Sequence, residues 1–240
     1  MRMRSKEELR ADVWQAMERE GVARFPGARG RIPNFVGAER AAERLAEHPA
    51  WTSAETLKAN PDSPQTRARR LALAAGKVLV MAVPRLRDRH PFRLLDPRGL
   101  SERERREAAT IKGALRHGKA IGLDQVPDLD LVLAGSVAVN TRGARVGKGG
   151  GFSDLEYGLL FETARIDRRT RIATTVHPLQ ILREDLPMTA HDIPVNLVAT
   201  PAEVIEVDGA YDGPTGILRD HLQPRQVREI PVLDQLGYAG

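Results

Sequence analysis

The chain has 240 residues, with 37 Lys and Arg against 32 Asp and Glu, 41% hydrophobic residues and no cysteine. That composition excludes disorder and collagen-like structure and supports a packed unit burying about 70% of its unfolded surface, while the missing thiols exclude disulfides, thiolate zinc sites and cysteine nucleophiles. The formal net charge of +5 is spread along the sequence and aromatics are only 4% of it, which leaves few stacking platforms and disfavours a dedicated single-strand nucleic-acid binder.

The charged start leads into no apolar stretch, and no apolar run approaches the ~18 residues a membrane span requires. A cytoplasmic chain is the expectation. Leu9, Val13, Trp14 and Met17 share one side of a helix over Lys6 to Glu20, stopped by Gly21. The Gly- and Pro-punctuated stretch from Phe25 to Asn34 forms an irregular crossing, and a short helix follows from Gly37 to His48. Ser63-Pro64 opens a further helix that ends at Gly76, and Lys77 to Val83 reads as a strand. Ser101 with Glu104 has capping-box spacing and predicts one helix to about His117. Leu129 to Val139 is apolar on both faces, as suits a strand at the centre of a parallel sheet. Strands are predicted at Ile172 to Val176, Val195 to Ala199 and Val204 to Val207, with helical segments at Leu155 to Thr163 and Pro178 to Glu184. The alternation defines an α/β chain, and no linker divides residues 1–240, which are read as a single domain.

One segment carries the chemistry: Asn140-Thr-Arg-Gly-Ala-Arg-Val-Gly-Lys-Gly-Gly-Gly-Phe-Ser-Asp154. Its glycines bring backbone N–H groups close to an oxyanion, and Arg145 and Lys148 supply positive charge. Ser153 with Glu156 has capping-box spacing, so Asp154 is expected to begin a helix and could hold magnesium. The bland alternative is a glycine-rich hairpin at a sheet edge, because the pattern is neither a Walker loop nor a Rossmann fingerprint. The histidines show no paired metal-binding spacing. His177 reads as a capping or packed residue more readily than a site residue, and Arg85 as either an anion contact or solvated surface.

The run Gly143-x-Arg145-Val146-Gly147-x-Gly149-x-Gly151-Phe152-Ser153-Asp154 resembles the ATP loop of 5-formyltetrahydrofolate cyclo-ligases, Gly-x-Arg-Leu-Gly-x-Gly-x-Gly-Tyr-Tyr-Asp. Neighbouring landmarks agree in order: Asp128-Leu-Asp-Leu-Val-Leu-Ala-Gly135, Gln180, Pro187 and His191-Asp192. Arg31-Ile-Pro-Asn-Phe35, Asn60-Pro-Asp-Ser-Pro-Gln65, Pro84-Arg-Leu-Arg87 and Asp154-Leu-Glu-Tyr157 are similar to the methenyltetrahydrofolate synthetase domain-containing branch. The resemblance implies a three-layer α/β sandwich with a mainly parallel central sheet, of the type shared with sugar-phosphate isomerases and coenzyme A transferases. It implies ATP and Mg2+ as cofactors and a reduced folate as substrate. Lys6, Arg10, Arg145, Val146, Gly147, Lys148, Gly149, Gly150, Gly151, Phe152, Ser153 and Asp154 would contact ATP, with Arg145 and Lys148 catalytic, Phe152 against the substrate, and Asp154 and Asp192 on the metal. The implied reaction converts 5-formyltetrahydrofolate to 5,10-methenyltetrahydrofolate with ADP and phosphate.

Two departures keep a second reading open. Phe152-Ser153 stands where the enzymes have two tyrosines, and Leu57 to Arg67 replaces the stretch that supplies their folate-contacting acid. The alternative is a nucleotide-binding relative acting on another small molecule, or a non-catalytic one. A third reading, nucleic-acid binding through Arg67 to Arg70 and Arg165 to Arg171, rests on short charge clusters alone.

Overall fold

The computed structural model describes residues 3–207 and 211–238. Its strands are β1 (Thr56–Ala59), β2 (Val78–Ala82), β3 (Phe92–Leu95), β4 (Lys119–Ile121), β5 (Leu131–Leu133), β6 (Ala138–Val139), β7 (Arg145–Val146), β8 (Arg171–Thr175), β9 (Leu197–Ala199) and β10 (Val204–Glu206). Its helices are α1 (Lys6–Arg19), α2 (Ala38–Glu47), α3 (Pro49–Thr52), α4 (Thr66–Ala74), α5 (Glu102–Ala108), α6 (Ile111–His117), α7 (Phe152–Glu162), α8 (Pro224–Glu229) and α9 (Pro231–Gln235). The main sheet has the order β10-β9-β8-β5-β1-β2-β3-β4. Its centre, β9-β8-β5-β1-β2, is parallel, and antiparallel β10 at one end and β3-β4 at the other extend it.

The strand pleat sorts side chains into two layers. Leu57, Ala59, Leu79, Met81, Leu131 and Leu133 pack with Ala42, Leu45, Ala68 and Leu73 of α2 and α4. Val80, Val132, Ile172 and Val198 point the other way, onto Leu155, Leu159 and Leu160 of α7 and Val232 and Leu233 of α9. Helices on both faces of a mostly parallel sheet make the expected three-layer α/β architecture. A further apolar cluster joins Leu9, Val13 and Met17 of α1 to Ala138 and Val146 of the separate β6-β7 hairpin. Among the described residues, no helix is long and apolar enough to cross a membrane.

Several expected elements are corrected. The apolar run Leu129 to Val139 is two strands, not one: β5 sits centrally, but the chain leaves the sheet at Ala134 to enter the hairpin. The departing backbone is held from outside the sheet, since Arg145 Nη1 donates to Gly135 O at 2.8 Å and Gln180 Nε2 donates to Ser136 O at 2.9 Å. The helix expected over Ser101 to His117 breaks into α5 and α6, with Thr110 Oγ1 capping the second through Gly113 N. Gly113 is needed at the break, because a Cβ there would meet Glu107 O at 1.9 Å. Pro178 to Glu184 forms only a single 3-10 turn over Pro178–Gln180, as Ile181 bridges to Val139 and Leu182 N bonds Val139 O at 2.8 Å.

The parallel strands follow the chain order 2-1-3-4-5 across the sheet, so the order reverses between β1 and β5. In doubly wound sheets, ligands bind outside the carboxyl ends of the strands at this reversal, where crossovers on opposite faces leave a crevice.

Candidate functional site

A cavity of about 960 Å³ opens at that place, lined by Asn60 and Asp62 after β1 and by Gly135 after β5. The loop from β7 into α7 crosses its mouth. The structure brings Lys6, Arg10, Arg145, residues 147–154 and Asp192 to this one cavity. Val146 is the exception among the sequence-expected residues, with its side chain buried in the α1–hairpin cluster.

The loop takes its shape from glycine. Gly149 has φ +99° and Gly151, the residue capping α7, has φ +65°, values that cost side-chain-bearing residues strain. A Cβ on Gly147 would lie 3.1 Å from Arg145 Nη1, and one on Gly149 would lie 3.3 Å from the Arg10 guanidinium. The backbone therefore rests directly on these cations. Arg10 Nε also donates to Gly147 O at 2.7 Å.

The expected capping box at Ser153 does not form. Helix α7 starts at Phe152, and its cap, Gly151, has no side chain to accept from the first turn. The first-turn N–H groups keep their partial positive charge toward the cavity, as at anion-binding helix N-termini. Ser153 Oγ instead donates to Asn60 Oδ1 at 3.1 Å, and Glu156 turns inward.

Arg145 is 2% exposed. Its guanidinium bonds Gly135 O, Ile193 O at 3.2 Å and Asp154 Oδ1. Ile193 N donates to the same Oδ1 at 3.1 Å, so Asp154 and Asp192 lie on one wall, joined through a single residue. Asp192 accepts from Lys6 Nζ at 2.6 Å and from Thr189 Oγ1 at 2.7 Å. Burial alone would raise the Asp192 pKa, but Lys6 and the Thr189 hydroxyl and amide outweigh it and hold the carboxylate below its usual range. Lys148, half exposed, reaches Asp62 Oδ1 at 3.3 Å.

Both carboxylates are hard oxygen donors of the kind that suits magnesium; among the described residues both hydrogen bonds Asp154 accepts fall on Oδ1, whereas Lys6 Nζ bonds both oxygens of Asp192 and would have to give way to a metal there. Among the described residues, no group of three or more His, Cys, Asp or Glu lies together as a ready metal cage. A dication here would take Asp154 and Asp192 and complete its shell from ligand oxygens and water, the usual habit of magnesium.

The ion pair buried beneath the cavity floor of Asn60 and Glu156 went unread in the sequence. Lys58 and Glu156 are 1% and 4% exposed; Lys58 Nζ bonds Glu156 Oε2, and Asn60 Nδ2 donates to the same oxygen at 3.1 Å. Lys58 is in register with Val80 and Val132, so the pleat aims it at α7 and at Glu156. Lys-x-Asn and Asp-x-Glu at these positions were the available signal. Also unread was the wall contributed by residues 216–226.

His177 caps its 3-10 turn, accepting from Leu179 N at 3.2 Å, and its ring meets Phe35 edge-on. Arg85 lines the cavity. The Arg67–Arg70 cluster is not a free basic patch. Arg69 is buried and bonds Ala109 O at 2.7 Å and Asn60 O at 2.6 Å, with burial pulling its pKa down to about 10. In the second cluster Arg165, Arg168, Arg169 and Arg171 each face an acid.

Fold and site together define a doubly wound α/β protein in which a glycine loop leading into a helix N-terminus closes over the switch point of its sheet. The model of the 5-formyltetrahydrofolate cyclo-ligase family matches residues 2–201, and the chain belongs to that family. It is 38% identical over 236 residues to the methenyltetrahydrofolate synthase domain-containing protein of Mus musculus, covering 97% of this chain and 63% of that protein. With the Bos taurus protein of the same description, identity is 36% over 98% of this chain and 62% of that one. The chain thus spans somewhat under two thirds of the length of these relatives. The NMR structure of Aquifex aeolicus 5,10-methenyltetrahydrofolate synthetase superposes with a TM-score of 0.53 at 19% identity, covering 91% of this chain and 99% of that one, which establishes the shared fold.

Proposed function

We propose that the chain binds ATP with magnesium in this cavity and converts 5-formyltetrahydrofolate to 5,10-methenyltetrahydrofolate, forming ADP and phosphate. The observation that carries the reading is the uncapped N-terminus of α7 behind Gly147–Gly151, flanked by Arg10, Lys148 and the Asp154–Asp192 wall. Phosphoryl transfer asks mainly for positioning and for neutralisation of phosphate charge, which this arrangement supplies in kind. Loop amides and first-turn N–H groups hold the phosphate tail. Arg10 is anchored by Gly147 O and Glu7, and Arg145 by Gly135 O and Ile193 O, so neither needs to reorganise as charge moves. Lys148 is the mobile cation, free to exchange Asp62 for a phosphate oxygen. Magnesium, when bound at Asp154 and Asp192, supplies a Lewis acid for the phosphate oxygens. Phe152 offers an apolar face at the cavity for the substrate ring. The reading treats residues 1–240 as one such unit working in the cytoplasm.

A second reading, a nucleotide-dependent relative acting on a different small molecule, is favoured by the floor. Lys58, Asn60 and Glu156 form a closed polar set there, and Phe152-Ser153 presents one ring where the enzymes have two tyrosines. The experiment is direct: purified protein is mixed with 5-formyltetrahydrofolate, ATP and magnesium, and methenyl absorbance is followed. ATP-dependent signal that falls about a hundredfold or more in Asp154→Asn supports the first reading. No signal, with a thermal shift on adding ATP and magnesium, supports the second; neither signal nor shift overturns both.

A further inference from the structure

Residues 211–238 lie beyond the stretch matched to the family, residues 2–201, yet they build one wall of the cavity, with Ile217, Leu218, Leu222, Gln223 and Gln226 facing it. This segment is part of the packed structure. Ile230, Val232 and Leu233 are buried in the α7 core, and Arg87 pairs with Glu229 at 2.9 Å. Where the segment crosses α7, Gly158 makes room: a Cβ there would stand 3.1 Å from Gly216 O.

The crossing ends over the anion cradle. Gln226 Nε2 lies 3.4 Å from the point where a Cβ on Gly151 would be, so its amide sits beside the residue that caps α7. The orientation of that amide is fixed by chemistry. Gln226 Oε1 accepts from Gln223 N at 2.8 Å, and only an oxygen can accept there, so the NH2 end is the one turned toward the loop. No hydrogen bond from Nε2 occurs among the described residues. The Gln226 side chain is part exposed, so water meets this amide when no ligand is bound; set beside a helix N-terminus that already presents N–H groups, it adds one donor to a concave set whose complementary ligand is an acceptor-rich anion.

We propose that Gln226 is a ligand-binding residue whose side-chain amide donates to the phosphate group held at the N-terminus of α7, making the C-terminal segment part of the nucleotide site. The inference rests on the nucleotide reading above and adds to it a donor from outside the family-matched stretch.

The test is calorimetric titration of the full chain with ATP and magnesium, and separately with inorganic tripolyphosphate, for wild type, Gln226→Leu and Gln226→Glu. Loss of one hydrogen bond to a charged group weakens binding about tenfold or more, and Gln226→Glu, which sets a carboxylate against the phosphate, weakens it further. Tripolyphosphate, which lacks base and sugar, should show the same ratio, because the contact is to phosphate. Unliganded melting temperatures within about 2 °C of wild type show that the variants fold, and Gln226→Asn, which keeps the amide but shortens its reach, serves if Leu does not. Wild type that binds while Gln226→Glu binds equally well overturns this inference alone. Wild type that binds neither ligand overturns the nucleotide reading and this inference with it.

Discussion

The cavity has two kinds of wall. One is made by the sheet: Asn60 and Gly135 line it just past the ends of β1 and β5, with Lys58 buried inside β1 beneath them, and their positions follow from strands held in parallel register with neighbours on both sides. The other is made by residues 211–238, which contribute no strand to the sheet and are tied down by Ile230, Val232 and Leu233 and by contacts such as Arg87–Glu229 and Tyr238–Glu162. The difference teaches where chemistry and variation can reside. A residue on the sheet wall cannot move without disturbing β1 and β5, whereas a residue of the added wall can be exchanged without moving a strand.

The comparison breaks most readily at Lys58. Removing one partner of a buried ion pair strands the other charge, so Lys58→Met should lower unfolding free energy by about 3–5 kcal/mol in guanidinium titrations. The double variant Lys58→Met/Glu156→Leu should recover most of that loss, because no charge is left unpaired. A single-variant cost under about 1 kcal/mol would mean that the sheet wall is no more rigid than the added one.

The second effect tests the cradle itself. Gly149→Ala forces a Cβ into a backbone at φ +99° and against the Arg10 guanidinium at 3.3 Å. The expected cost is about 1–3 kcal/mol of stability, with weakened binding of ATP and magnesium because Arg10 must shift from Gly147 O. Gly27→Ala is the control: its φ of +96° is similar, but a Cβ there meets nothing within 4 Å. It should lose stability by backbone strain and leave nucleotide binding unchanged. Equal effects on binding would remove the special role of the loop.

The cradle was legible because its chemistry is local. Glycines, Arg145, Lys148 and Asp154 fall within one short segment, and the apolar strand before it marks the sheet. Lys6, Arg10 and Asp192 needed the family resemblance, since nothing local distinguishes them from helix-face and turn residues. The floor was hidden for a physical reason. Thr56-Leu-Lys-Ala59 is short and carries a lysine at its centre, which breaks the apolar signature of a buried strand, and the partner that makes the lysine tolerable lies 98 positions away. Glu156 misled in the same way: Ser153 with Glu156 satisfies the capping-box spacing, but the tertiary demand of Lys58 outbids a local cap worth about 1 kcal/mol. In the added wall, α8 and α9 are too short for an amphipathic period to show.

The smallest effect belongs to the added wall and carries a pH signature. Tyr238 Oη donates to Glu162 Oε1 at 2.6 Å, and Ile217 N donates to Oε2 of the same carboxylate at 3.3 Å, so Glu162 ties both ends of the segment to α7. Burial, then the Glu162 bond, pushes the Tyr238 phenol up to about 12 from the usual 10.0. The folded chain thus holds this proton more tightly than the unfolded one, so the contribution is whole below pH 10 and is lost as pH rises through about 12. The phenol is largely open to water, which limits the worth of the bond. Tyr238→Phe should cost no more than about 1 kcal/mol at pH 8, and the gap between wild type and variant should close as guanidinium midpoints are followed from pH 10 upward. Absorbance titration should show a late-ionising phenol in the wild type that is missing from Tyr238→Phe. A loss as large as that of Lys58→Met, or a gap that does not change with pH, would place the added wall within the rigid core and remove the distinction between the two walls.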